Sequence, residues 1–264
     1  MLIVSAGSPL SLVMPLTLLR VRCQRLIGQT KKSGKLLDFF LKIWYTITMT
    51  YLELVNAVLR RVRENEVLSV NQSYYSKLIG DYVNETKREV EDAWDWNALR
   101  TTLSAVTTAD LFNYVLVGSG QRFRVLSVLN DTNNWFMQPA SSKWMDEQFL
   151  LGSGVERSQP RYYSFNGVDN NGDTQVDLYP VPNGVYDIRF NVVLPQADLT
   201  NDSDILKVPY DAVIQGALLK AIIERGEDGG RGSELQADAY RKAVGNAIAI
   251  EANRYEDEIT WELK

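Results

Sequence analysis

Histidine is absent from the 264 residues, and cysteine occurs once, as Cys23. These two absences remove most zinc sites, Ser-His-Asp and Cys-His nucleophile systems, thiol catalysis and any disulfide within the chain. One cysteine suits any redox compartment. The body of the chain also lacks a row of Lys and Arg. A formal charge of −5 conceals a split: residues 1–48 carry seven basic residues against Asp38 alone, whereas the remainder carries 21 basic and 32 acidic residues, a net of −11. Counterion release on duplex DNA requires the opposite balance, so a groove-reading DNA binder is disfavoured.

A secretory signal and a clean membrane span are missing as well. In "MLIVSAGSPLSLVMPLTLLRVRCQR" the apolar stretch precedes the positive charges, the reverse of a secretory signal, and no small-residue cleavage site follows. Gly7, Pro9 and Pro15 interrupt it as a span. At "TMTYLELVNAVLRRVREN" the composition switches to an amphipathic helix. Residues 1–48 are therefore read as an anomalous basic and apolar leader, an upstream extension with Met49 as the natural start. A basic arm that inserts into a partner and a membrane anchor are the alternatives, and no stable membrane association is expected.

What is present is core-forming sequence: 45% of the residues are hydrophobic, enough for one large domain or two small ones. Residues 49–98 read as a helical hairpin. Leu52, Val55, Leu59 and Val62 recur at three and four, widened by Leu54 and Val58; after a polar break, Tyr75, Leu78, Ile79, Tyr82, Thr86, Val90 and Trp94 repeat the pattern. After Trp96 the period falls toward two, and residues 99–206 read as a β-rich insertion with strands at 101–107, 111–117, 122–129, 134–138, 161–166, 174–179 and 185–194. Asn166-Gly167, Asn171-Gly172 and Asn183-Gly184 supply reversals, and the order predicts an antiparallel meander.

Residues 207–254 return to helix. Pro209 opens a segment burying Val213, Ile214, Ala217, Leu218, Ala221 and Ile222 before Gly226. Ser233 and Gln236 form a capping box for a last helix whose stripe is Leu235, Tyr240, Ala243, Val244, Ala247, Ile248 and Ala252. Residues 255–264 form an acidic tail. The fold class is α+β: a four-helix unit built from the N- and C-terminal helix pairs, with an antiparallel β-rich insertion between helices two and three. Trp94 and Trp96 sit where the chain leaves that unit and are assigned to the structural joint between bundle and sheet.

Three apparent sites fail on inspection. "DNNGDTQVD" alternates Asp169, Asn171 and Asp173 like a calcium loop, but its glycine is at the fourth position and Thr174 at the sixth, so a hairpin turn is expected. "GEDGGRGSE" has no preceding strand and no Gly-Lys-Ser/Thr, and reads as a helix-helix connector. "VGSGQRFR" is a turn at Gly118 and Gly120 with Arg122 and Arg124 on the next strand, where the arginines could meet a neighbouring subunit. No metal and no cofactor is expected.

"TYLELVNAVLRRVRENEV", "YSKLIGDYVNETKREVEDAWDWNALRTTLSAVTT" and "YYSFNGVDNNGDTQVDLYPVPNGVYDIRFNVVL" together resemble the head-to-tail adaptor (connector, tail tubular A-like) proteins of short-tailed bacteriophages, especially those infecting marine bacteria. The resemblance covers about residues 49–264, and the leader has no counterpart in it. It implies a virion structural protein assembled in the host cytoplasm, a dodecameric ring at the head-tail junction that binds the portal protein and extends the DNA channel. A tail nozzle protein, tail fibres in some phages and copies of itself are the other implied partners, with viral DNA passing non-specifically. By the same resemblance Tyr255, Ile259, Trp261 and Leu263 are assigned to the portal contact. The acidic body suits a conduit that DNA must not stick to, and equally suits solubility before assembly.

The competing class is an enzyme. Without histidine or a usable thiol, the remaining chemistry is a carboxylate pair acting on a glycan such as peptidoglycan. With 32 acidic residues outside the leader, the sequence singles out no pair, and a non-enzymatic role is expected.

Overall fold

The first helix, α1 (Tyr51–Arg61), begins where Thr50 and Glu53 close a capping box: Glu53 N donates to Thr50 Oγ1 at 3.3 Å and Thr50 N to Glu53 Oε2 at 2.8 Å. Two amides beyond the reach of that box, those of Tyr51 and Leu52, donate to the carbonyls of Asp204 and Asp202. The chain returning from the far end of the sequence therefore caps the first helix. In this computed structural model the described residues are 48–151, 154–226 and 231–253, and the contacts divide the chain between Thr48 and Met49. The tail, with its four expected portal contacts, and all of the leader except Thr48 lie outside the described residues.

A short 3-10 turn, Val70–Gln72, leads into α2 (Tyr74–Ala93). Ten strands come next in the chain: β1 (Arg100–Val106), β2 (Asn113–Val115), β3 (Arg124–Asn130), β4 (Trp135–Phe136), β5 (Gln138–Pro139), β6 (Arg157–Ser158), β7 (Tyr162–Val168), β8 (Thr174–Tyr179), β9 (Val181–Pro182) and β10 (Asp187–Val193). Between β5 and β6 lies α3 (Ser142–Asp146), continued by a π turn, Glu147–Leu151. Helices α4 (Tyr210–Arg225) and α5 (Arg231–Ala252) close the described chain. The class is α+β, with the strands set between the helices in the chain.

The helical core joins Leu54, Val55 and Val58 of α1 to Ile79, Val83 and Val90 of α2 and to Val213, Ala217 and Ala221 of α4. Tyr240, Ala243, Val244, Ala247 and Ile248 of α5 pack against it. Helix α4 touches α1, α2 and α5, which is why its sequence is apolar nearly all round. Close approach depends on Gly216: a Cβ there would meet Thr86 Cγ2 at 2.3 Å and Tyr240 Cε2 at 3.0 Å.

Tyr51 is buried at this core, its hydroxyl accepting from Asn84 Nδ2 at 3.5 Å. Burial, reinforced by Asp81, Asp198 and Asp202, pushes its phenol up to about 12 from 10.0. In the unfolded chain the proton leaves near 10, so between about pH 10 and 12 the folded state holds more protons and stability falls as pH rises. Tyr51→Phe should flatten that alkaline slope, read as midpoint of urea unfolding against pH. An unchanged slope would assign the effect to other tyrosines.

The strands form two four-stranded sheets, ordered β1-β10-β3-β4 and β2-β8-β7-β5, with a two-stranded β6-β9 pair. Ala105, Val128, Ile188 and Phe190 of the first sheet share one interior with Tyr114, Tyr163, Val176 and Leu178 of the second. Tyr163 and Phe190 meet edge to face, 6.1 Å between ring centres.

Several sequence expectations are corrected. The sheets are not a meander: β1 pairs with β10, more than eighty residues later, and β5-β7 and β6-β9 are parallel. Asn166-Gly167 does not reverse the chain; it is an irregularity within β7, between Phe165 and Val168, with Gly167 at φ +77°. Helix α3 and its π turn occupy a stretch with no predicted element. Helix α5 already runs through Ser233, two residues inside its start at Arg231, and Gln236 Nε2 donates to Gln215 O at 3.0 Å. Leu235, placed on the packed stripe by its spacing, is 68% exposed, and Ala252 is also exposed.

Candidate functional site

The joint between helices and sheets is built on one polar stripe of α2. Asn84, Lys87 and Glu91 lie at i, i+3 and i+7, so a single helical face presents an amide, an ammonium and a carboxylate. All three are buried against residues 196–199, the segment that returns from β10 to α4. Asn84 grips the backbone of Leu199 with both ends of its amide, donating from Nδ2 to the carbonyl at 3.0 Å and accepting at Oδ1 from the N–H at 2.9 Å.

Lys87 and Glu91 have fully buried side chains, with Nζ and Oε1 3.2 Å apart. The ammonium spends its other donors on the carbonyls of Gln196 at 2.6 Å and Ala197 at 3.2 Å. Glu91 Oε1 accepts from Gln196 N at 3.1 Å, while Oε2 has no hydrogen-bond partner among the described residues. Burial raises the Glu91 carboxyl above its ordinary 4.5, against the opposing pull of Lys87. Next to this pair Arg88 holds Asp198 in a bidentate contact and draws its carboxyl below 3.8. The whole cluster straps the returning chain to α2.

A second clamp comes from the sheet. Arg124, on β3, donates to the carbonyls of Glu91 at 3.1 Å, Asp92 at 3.2 Å and Trp94 at 2.6 Å, and pairs with Asp95 at 2.8 Å. Those carbonyls lie at the C-terminal end of α2, where helix carbonyls run out of intrahelical donors, so a cation there both hydrogen-bonds and meets the negative end of the helix; Trp94 O also accepts from Trp96 N at 3.0 Å. Arg122 binds both oxygens of Asp92 at 2.9 Å. The two arginines, which the sequence placed on a subunit contact, are thus engaged within the chain. Arg124→Ala should lower stability by about 1–2 kcal/mol, the range for partly exposed bonds to a charged group. A thermal midpoint within 1 °C (roughly) of the parent would remove the clamp from the account.

Trp96 is 2% exposed and belongs to the helical core, its indole N–H donating to Val90 O at 2.7 Å. Trp94 is half-buried against the same core and gives its carbonyl to Arg124. Both tryptophans therefore stand at the joint, with their apolar area on the helical side of it.

Beside the joint lies an open cleft of about 960 Å³, lined by Arg100, Arg122 and Lys207, the Gly118–Gln121 turn and the Leu194–Ala197 segment. Its lining contains no carboxylate. The glycine turn is already directed toward an anion: Gly118 N and Gly120 N donate to the two oxygens of Asp173 at 3.0 and 3.1 Å, lowering that carboxyl below 3.8. Asp169 Oδ1 accepts from the amides of Asn171 and Asp173 at 2.9 and 2.8 Å. The calcium-like alternation is thus a backbone-bonded turn. Among the described residues no group of three or more metal-ligating side chains converges. Three buried carboxylates among the described residues, Glu91, Asp177 and Glu251, are held by donors inside the fold, Asp177 by the side-chain amides of Asn113 and Asn166 and Glu251 by Asn97 N.

A helical core, a two-sheet unit set between its helices in the chain, and a polar strap between them make a structural joint. The family model for the SU10 adaptor protein matches residues 49–260. The chain belongs to the SU10 adaptor protein family. Among curated proteins none matches it. The family match agrees with the resemblance to phage adaptors as a structural protein. Within this SU10 adaptor protein, the match covers both clamps and α1 through α5, and stops short of the last four residues. Sequence reasoning missed the strap because the stripe it drew on this helix, Tyr75, Leu78, Ile79, Tyr82, Thr86, Val90 and Trp94, leaves out Asn84, Lys87 and Glu91. The available signal was their spacing: Lys87 and Glu91 are four apart and in line with Asn84 and Ser76, both polar residues on the face next to Ile79, Val83 and Val90.

Proposed function

We propose that this chain is a virion structural protein of a phage, a head-to-tail adaptor whose copies form a ring between portal and tail. The family match over residues 49–260 carries this reading. In it, the N- and C-terminal helix pairs act as one four-helix unit that forms the ring body, and the two sheets form the part presented to tail components. Twelve copies, portal docking through Tyr255, Ile259, Trp261 and Leu263, attachment of a nozzle and fibres, and passage of DNA through the ring belong to the same proposal.

Two features support it. A cyclic ring needs two different faces on each subunit, and a strap of buried polar bonds between helices and sheets would keep those faces at a constant angle. The body is acidic, which lets DNA slide without many simultaneous phosphate contacts. No chemistry is carried out in this reading, so the purified protein should leave a peptidoglycan zymogram uncleared.

The test is negative-stain microscopy of the protein mixed with portal rings. A second ring stacked on the portal is the expected image. Persistent monomers that leave the portal bare at micromolar concentration would overturn the assignment.

A further inference from the structure

The sequence contains three Asn-Gly steps, Asn166-Gly167, Asn171-Gly172 and Asn183-Gly184, and all three asparagines are exposed. Asparagine followed by glycine loses its side-chain amide without an enzyme, because glycine carries no Cβ to hinder ring closure. The backbone N of the glycine attacks the asparagine Cγ. The new N–C bond closes a five-membered succinimide, the Cγ–Nδ2 bond breaks, and ammonia leaves with the proton of the attacking amide. Water then opens the ring at either carbonyl, giving aspartate or isoaspartate. The step requires a side chain free to swing over the glycine amide, an amide N–H not engaged elsewhere, and a polarised side-chain carbonyl.

The fold meets these needs differently at the three steps. Asn166 gives its side-chain amide to the buried Asp177 at 2.8 Å, and its backbone lies within β7. Asn171 is tied twice to Asp169, by its backbone N at 2.9 Å and by Nδ2 at 3.1 Å. The attacking amide there, Gly172 N, is itself engaged, donating to Asp169 O at 3.1 Å.

Asn183, between β9 and β10, has none of these restraints. Among the described residues neither Asn183 Nδ2 nor Gly184 N donates a hydrogen bond. Asn183 Oδ1 accepts from the Tyr186 hydroxyl at 2.5 Å, which draws electron density from Cγ and makes it a better electrophile. The glycine is fixed only through its carbonyl: Gly184 O accepts from Thr107 Oγ1 at 3.0 Å, and Thr107 Oγ1 accepts from Tyr186 N at 2.8 Å.

We infer that Asn183 is a site of spontaneous deamidation, selected over Asn166 and Asn171 by its unengaged Gly184 amide and by the Tyr186 hydroxyl. Each event adds one negative charge to the turn between β9 and β10. The isoaspartate product also routes the chain through the side-chain carbon and so adds a methylene to the backbone next to Gly184. Gly184 O then moves off Thr107, and the turn detaches from the end of β1.

Peptide mapping by mass spectrometry, on the full chain aged in mildly alkaline buffer, tests this. In the folded protein Asn183 should convert at least about ten-fold faster than either other asparagine, and in urea the three rates should come together. Gly184→Ala should slow Asn183 by about ten-fold or more. That variant keeps the turn, since Gly184 is not among the positive-φ glycines and a Cβ there would meet nothing nearer than the Tyr186 ring at 3.9 Å. Tyr186→Phe should slow Asn183 several-fold while Asn166 and Asn171 keep their rates, which a loosened fold would raise. Equal rates at the three asparagines in the folded chain would overturn the inference, as would a preference for Asn183 that survives in urea. An unchanged or faster rate at Asn183 in Tyr186→Phe would overturn the part given to the hydroxyl.

Discussion

Lys87→Met is expected to lower the unfolding free energy by about 3–5 kcal/mol, the range for removing one partner of a buried ion pair. The loss has two sources. Glu91 would remain as a carboxylate with a fully buried side chain and no cation, and the carbonyls of Gln196 and Ala197 would lose the ammonium that binds them. The double variant Lys87→Met/Glu91→Leu should be less destabilised than the single one. It removes the uncompensated charge, although Gln196 N and the two carbonyls still lose these partners and retain part of the cost. Denaturant unfolding of the three proteins gives the comparison, and a single-variant loss below about 1 kcal/mol would mean that the strap does not depend on the pair.

The pH dependence carries a sign. Glu91 is raised above 4.5 in the folded protein, so its ionisation works against folding: stability falls as pH rises from 4.5 through the folded value, and the penalty is absent below 4.5. Asp198 acts oppositely, because its lowered carboxyl contributes stability above 3.8 that is lost as pH falls through the folded value. In Lys87→Met the raising of Glu91 should grow, so the destabilisation should be larger near neutral pH than in mild acid.

Gly216→Val is the other large expected effect, a loss of about 3 kcal/mol or more, with Gly216→Ala losing roughly 1–3 kcal/mol. Helix propensity argues the other way, since alanine gains up to about 1 kcal/mol over glycine within a helix. Geometry decides: a Cβ would sit 2.3 Å from Thr86 Cγ2 and 3.0 Å from Tyr240 Cε2, so α2 and α5 would both have to move away from α4. Thermal unfolding resolves this at about 2–4 °C per kcal/mol for a chain of this size. A rise in the midpoint for the alanine variant would show that the helices are not pressed together there.

The apolar periodicity of α1 and α4 was legible because burial there follows a simple stripe: Leu54, Val55, Val58 and Leu59 in one, Val213, Ile214, Ala217 and Leu218 in the other. On α2 the same method turned the face. It favoured Leu78 and Tyr82, which are half-buried, over Asn84, Lys87 and Glu91, which are buried. A hydrophobicity pattern treats a charge as solvent-facing, and only a partner segment more than a hundred residues away makes these three buried. Strand positions were mostly read well from the period of two, yet their order was not. Pairing β1 with β10 depends on which distant strand has a complementary edge, and local alternation carries no trace of that.

By itself the sequence determined the exclusion of histidine and thiol chemistry, the acidic body, and the succession of helices, strands and helices, because these come from composition and from local periodicity. Only the tertiary structure decided that Lys87, Glu91 and Arg124 form the joint, that the sheets are interleaved, and that β1 pairs with β10. Each of those depends on groups far apart in the chain coming within hydrogen-bonding distance, and neither composition nor period encodes that distance.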